Sequence, residues 1–152
     1  MTQILRKVLA CTVLIGLFAC SGCGEKFARG FASPAKDYVA VLVTETGGGP
    51  GSSYCIDTVV VVPSEILASG NYPANDRAYV GGCHSLKMIQ INGRASMPNA
   101  PQIRWTGPYE LSIVYNPTFA RQGVAALFTQ TSLHGGKITI RYEEQEPGKR
   151  AR

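Results

Sequence analysis

Histidine is scarce in this chain, and so are the arrangements that accompany hydrolytic or metal chemistry. Of 152 residues only two are histidines, His84 and His134. No serine stands in a G-x-S-x-G elbow, and the Thr46–Ser53 stretch TGGGPGSS lacks the Gly-Lys-Ser/Thr ending of a phosphate loop. Neither Cys55 nor Cys83 belongs to a C-x-x-C pair, which removes the usual zinc spacing and leaves no metal or cofactor to expect. Nor is there a basic stripe with interleaved aromatics, so nucleic acid is not an expected partner. The longest apolar run, Val8–Ala19, has twelve residues. That is too short to cross a bilayer core, which takes about 20 helical residues.

What the chain does have is concentrated at its start. Arg6 and Lys7 precede the Val8–Ala19 run, the charge and length pattern of a helical export signal. Leu17-Phe18-Ala19-Cys20 then resembles the lipobox of bacterial lipoproteins. In that family the cysteine thiol takes a diacylglyceryl group and becomes the new N-terminus. Cys20 is the favoured site, and Cys23, after Ser21-Gly22, is the alternative. Ser21, rather than aspartate, after the modified residue implies by the resemblance the periplasmic face of the outer membrane. One acyl chain binds membranes only marginally and two or more anchor stably. The expected partner is therefore the membrane, reached through covalent lipid.

Removing residues 1–19 leaves 133, one domain of ordinary size. The mature chain has 13 basic and 10 acidic residues, a net charge of +3. Cys55 and Cys83 remain in the folded part, in a compartment that permits disulfides, and pairing them is the first expectation. Free thiols are the alternative.

Residues 20–32 read as a lipidated tether, 33–144 as an all-β domain and 145–152 as a polar tail. Asp37–Glu45 alternates with both faces apolar, the pattern of a central or doubly covered strand. Thr46–Ser53 reads as a loop and Cys55–Val62 as the next strand, stopped at Pro63 and followed by one helical turn over Ser64–Ala68. Tyr79-Val80 and Leu86–Ile91 are candidate strands, and Asn92-Gly93 is a turn signal. Ile103/Trp105 and Tyr109/Leu111/Ile113/Tyr115 form a half-buried hairpin across Thr106-Gly107-Pro108. Gly123–Thr131 is a further strand, and Ile138, Ile140 and Tyr142 face inward along the last one. Six to eight strands with no mature helix predict a small antiparallel β-sandwich or sheet.

Two pieces together resemble small bacterial lipoproteins assigned to domains of unknown function. They are Ser33-Pro34-x-x-x-Tyr38-Val39-Ala40-Val41 and Trp105-x-Gly107-x-x-x-Leu111-x-Ile113-x-Tyr115. The same pieces are similar to one blade of a β-propeller, but a propeller needs about four blades and one unit is present. The resemblance brings no catalytic residues.

As a base, His84 could pair with Asp57 or Asp76, but Ser85 next to it points to the opposite strand face. Carboxylate pairs could come only from Asp57, Glu65, Asp76 or Glu110. Tyr54 and Tyr72, in Gly/Pro-rich segments, are the candidate contact residues. Two classes follow. One is a non-enzymatic binding or interaction module in the envelope, with an unidentified envelope protein or cell-wall component as partner. The other is a small periplasmic hydrolase or redox-active protein using His84 or Cys55/Cys83.

Overall fold

The computed structural model describes residues 25–49, 52–70, 72–83, 89–91, 94–96, 100–121 and 127–145. Two sheets pack face to face, a sandwich-like all-β fold. The first sheet has the order β1-β2-β3-β4-β9: β1 (Glu25–Ala32), β2 (Tyr38–Gly49), β3 (Ser52–Pro63), β4 (Arg77–Gly82) and β9 (Phe128–Thr129). The second has the order β10-β11-β8-β7: β7 (Gln102–Trp105), β8 (Glu110–Tyr115), β10 (Ser132–Leu133) and β11 (Ile138–Glu144). A separate pair joins β5 (Ile89–Ile91) to β6 (Arg94–Ser96). The Asn92-Gly93 turn itself lies outside the described residues, as does the export signal.

The valine-rich strands explain the first sheet. Side chains alternate between faces, so the register Ala40↔Val61 and Leu42↔Val59 puts these four between the sheets. Val39↔Val62 and Val41↔Val60 put the others, with Val43, on the outer face, where Tyr72 packs against them. Both faces of β2 and β3 are thus buried, as their unbroken apolar runs require. From the second sheet, Ile103, Leu111, Ile113, Ile138 and Ile140 complete the core.

Cross-links between the sheets are polar and specific. The Trp105 indole N–H donates to the Phe31 carbonyl at 2.8 Å, tying β7 to β1. The Tyr142 hydroxyl donates to the Ala78 carbonyl at 2.6 Å and lies 3.0 Å from the Gln130 carbonyl, tying β11 to β4 and β9. A register shift between Val59 and Val60 gives β4 an extra residue there, so that consecutive residues Ala78 and Tyr79 are both buried.

Four expectations need correction. Residues 25–32 are not tether but an edge strand, paired along its whole length with β2 and fixed by a Lys26–Glu45 ion pair at 2.7 Å. Thr46–Ser53 is not simply loop, because β2 and β3 stay paired out to Gly49↔Ser52. The second sheet is mixed, since β11 runs parallel to β8. Between those strands the chain passes through a short helix, α1 (Pro117–Ala120), capped by the Asn116 side chain, then crosses to the first sheet as β9 and returns through β10. Two reversals leave β11 in the direction of β8. Last, of the strand expected over Gly123–Thr131, only Phe128–Thr129 is a strand among the described residues.

Candidate functional site

Three turns meet at one end of the sandwich. The β1–β2 turn is closed by Ser33 N–H to the Tyr38 carbonyl at 2.8 Å, with Lys36 in the left-handed region at φ 62°. It delivers Asp37 and Tyr38. The β7–β8 turn delivers Tyr109. The turn His134–Gly136, where His134, Gly135 and Gly136 all have positive φ, delivers His134 and Lys137. Positive φ is costless for the two glycines and strained for His134, so its side chain needs partners that hold it there.

It has them. The His134 Nε2 lies 2.8 Å from the Val61 carbonyl, a contact that makes this nitrogen the N–H donor. Asp76 stands 3.9 Å from the same nitrogen, and the Tyr38 ring centroid lies 5.0 Å from the imidazole. Beside it, the Lys137 ammonium sits 4.7 Å from the Tyr109 ring centroid and 4.9 Å from that of Tyr38, and 3.7 Å from the Asp37 carboxylate. Partial desolvation pushes Asp37 up, but hydrogen bonds from Tyr109 and Ser33 and the Lys137 charge outweigh it and leave Asp37 below its ordinary value. The hydrogen bond to Asp37 raises Tyr109. For Lys137 desolvation acts downward, and Tyr109, Tyr38 and Asp37 together reverse it and leave it raised. Each group is held in its ordinary protonation state at neutral pH. Such an arrangement can hold a partner by charge and ring faces.

The other end of the core holds a buried carboxylic acid. Asp57 lies opposite Thr44 in the β2–β3 register and is 1% exposed. Thr44 Oγ1 donates to Oδ1 at 2.5 Å, and the second oxygen, Oδ2, has no hydrogen-bond partner. Burial pushes Asp57 up to about 6 against the opposing hydrogen bond from Thr44. Tyr79, raised by burial first and by Asp57 second, stands near it on β4. Two residues earlier on β3, Cys55 is disulfide-bonded to Cys83 with the α-carbons 5.2 Å apart. The Cys83 N–H also donates to the Cys55 carbonyl at 3.0 Å.

The residues singled out in sequence fall into separate places. Cys20, Cys23, His84 and Ser85 lie outside the described residues. Tyr54 is exposed, with its ring over Gly47 directly across the β2–β3 ladder. Tyr72 is instead half-buried against the outer valines, so the two tyrosines are not one exposed patch. The four carboxylates do not converge as a pair. Asp57 is buried, Asp76 faces His134, Glu110 lies 3.8 Å from Arg141, and Glu65 is exposed on the turn after β3. Among the described residues no three of His, Cys, Asp and Glu are grouped to hold a metal ion. Sequence reasoning passed over the Asp37–Tyr109–Lys137 group, whose members are far apart in the chain. It could have placed Asp57 inside, since Asp57 shares strand parity with Val59 and Val61.

No family model, curated protein or solved structure matches the chain.

Proposed function

We propose that the protein is a lipoprotein of the bacterial envelope, held by lipid on Cys20 at the periplasmic face of the outer membrane, whose β-sandwich is a non-enzymatic binding or interaction module. The observation that carries this reading is Arg6-Lys7, the twelve-residue apolar run and Leu17-Phe18-Ala19-Cys20 in immediate succession. The Cys55–Cys83 disulfide supports it independently, because such bonds persist in exported proteins. The turn cluster supports the non-enzymatic part. Its charges are paired and its phenol and ammonium are driven away from reactivity.

The test is metabolic labelling with radioactive palmitate, followed by fractionation of the envelope. Wild type and Cys23→Ser should carry label and fractionate with the outer membrane, and Cys20→Ser should lose both properties. Label retained by Cys20→Ser would move the anchor to Cys23. No label in any form would remove the lipoprotein reading altogether.

A further inference from the structure

The chain enters the sandwich at the end where the β2–β3 hairpin protrudes. β1 runs antiparallel to β2 with Glu25 opposite Thr46, so its first residue lies beside the far end of β2. Beyond that level the ladder continues for three more pairs, Gly47↔Tyr54, Gly48↔Ser53 and Gly49↔Ser52. Among the described residues no third strand flanks these pairs. The first described residue of β1, Glu25, stands opposite Thr46, and β4 ends at Gly82 opposite Ile56, sealed by the Cys55–Cys83 bond. The hairpin therefore overshoots Glu25 by about 10 Å at 3.4 Å per residue.

Lipid on Cys20 would lie five residues from Glu25, at most about 17 Å of fully extended chain. Lipid on Cys23 would lie closer still. A hairpin reaching about 10 Å past Glu25 thus spans most of the distance to the lipid-bearing residue. The headgroup region, about 5–8 Å deep on each side, covers the remainder.

The chemistry of the tip suits that depth. Residues 46–56 carry no charge, so none has to be desolvated. The carboxylates nearest the tip lie at its base: Glu25 is opposite Thr46, and Glu45 is paired with Lys26 at 2.7 Å. Tyr54 is 45% exposed, and its ring is laid across Gly47, where any β-carbon would collide with it. Tyrosine is the residue that favours headgroup level, with its ring toward acyl chains and its hydroxyl toward water. The β3 edge beyond Ile56, where β4 has ended, can hydrogen-bond to headgroups and interfacial water there, but could not enter the hydrocarbon.

We propose that the β2–β3 hairpin tip, through Tyr54, rests in the headgroup layer of the membrane as a second, non-covalent contact that orients the lipid-anchored domain. The proposal rests on the lipoprotein reading above. It is tested on the wild-type protein, reconstituted in vesicles of phosphatidylethanolamine and phosphatidylglycerol, by hydroxyl-radical footprinting. Flotation of the same vesicles reports anchoring. Tyr54 labelling should fall several-fold relative to the unlipidated Cys20→Ser protein in solution, while Leu67, 37% exposed beyond the opposite end of β3, keeps its labelling. Protein that floats with Tyr54 fully labelled overturns the membrane contact and leaves the anchor standing. Equal protection of Leu67 overturns the orientation. Protection of Tyr54 in whole envelopes but not in pure vesicles assigns the tip to a protein partner and overturns the proposal. Protein that does not float removes both readings.

Discussion

Asp57 should make the stability of this domain fall with rising pH across a window where most surface carboxylates do little. An aspartate in the unfolded chain titrates at its ordinary 3.8, and in the fold Asp57 is pushed up to about 6. Below about pH 4 the group is neutral in both states and contributes nothing to the difference. Above that, the unfolded chain ionises first and is favoured, until the folded chain also ionises near pH 6. The accumulated cost is about 2.2 pKa units at 1.36 kcal/mol each, roughly 3 kcal/mol, and is then constant. Asp57→Asn removes this slope. The new amide N–H would stand where Oδ2 has no partner, an offset of about 1–3 kcal/mol that does not vary with pH. The quantity to measure is therefore the difference between variant and wild type. Urea unfolding of the unlipidated Cys20→Ser form, with and without Asp57→Asn, should show the variant gaining about 3 kcal/mol on its parent between about pH 4 and about pH 7.5. Contributions from Asp37, Glu45 and the remaining carboxylates cancel in that difference. A difference flat over the window would mean that Asp57 titrates normally in the fold, and the account of a dry, half-satisfied carboxyl would be wrong.

Two further outcomes follow from other parts of the core. Replacing both Cys55 and Cys83 by serine opens a link 28 residues apart and should cost about 3–4 kcal/mol in the chain-entropy model, read as a lower urea midpoint with a steeper slope, because the uncross-linked denatured chain exposes more surface. Tyr142→Phe removes the hydroxyl that donates to the Ala78 carbonyl and should cost about 1–2 kcal/mol at neutral pH. Burial pushes Tyr142 up to about 12, so its own contribution to wild type is lost as pH rises from about 10 through 12, and the gap to Tyr142→Phe should narrow in alkaline unfolding curves. A gap that widens there would show that the phenol ionises easily in the fold.

The strands were legible wherever one or two faces had to be dry. Val39–Val43 and Val59–Val62 announce themselves because apolar, mostly β-branched residues at every position leave no polar face for water, and both faces are indeed covered. Ile103 to Tyr115 was legible because alternation and a Gly-Pro turn agree. Direction was not. Ile138, Ile140 and Tyr142 alternate identically whether β11 runs parallel or antiparallel to β8, so only the path through α1 and β9 decides it. The ends of β2 and β3 were hidden by composition. Gly47 to Gly49 has poor strand propensity, yet the register set by the valines carries the pairing onward, and the Tyr54 ring fills the space that Gly47 leaves. β1 was missed because EKFARGFA alternates weakly, and its pairing is supplied by the exposed side of β2. The turn cluster could not be read at all, since Asp37, Tyr109 and Lys137 meet only through the order of strands.

That order also gives the sandwich two chemically unlike ends, and the proposed anchor chooses between them. At the hairpin end the chain is uncharged from Thr46 to Ile56, and Glu45 at the base of the hairpin is paired with Lys26. At the opposite end Asp37, Lys137, Asp76 and His134 gather around the rings of Tyr38 and Tyr109. On the proposed anchor, the short link to Glu25 would turn the first end toward the bilayer and the second toward the periplasm. On the proposed reading, a partner arriving from the periplasm meets the Asp37–Tyr109–Lys137 surface first. The Lys137 side chain there is 48% exposed and Asp37 36%, so both charges remain accessible despite their pairing. Binding at this end would have to compete with a surface ion pair of small net worth rather than break a buried one. The cluster is therefore the region to scan first for a partner-binding role, with Lys137→Ala altering the charge and Tyr109→Phe removing the hydroxyl while keeping the ring packed against the core.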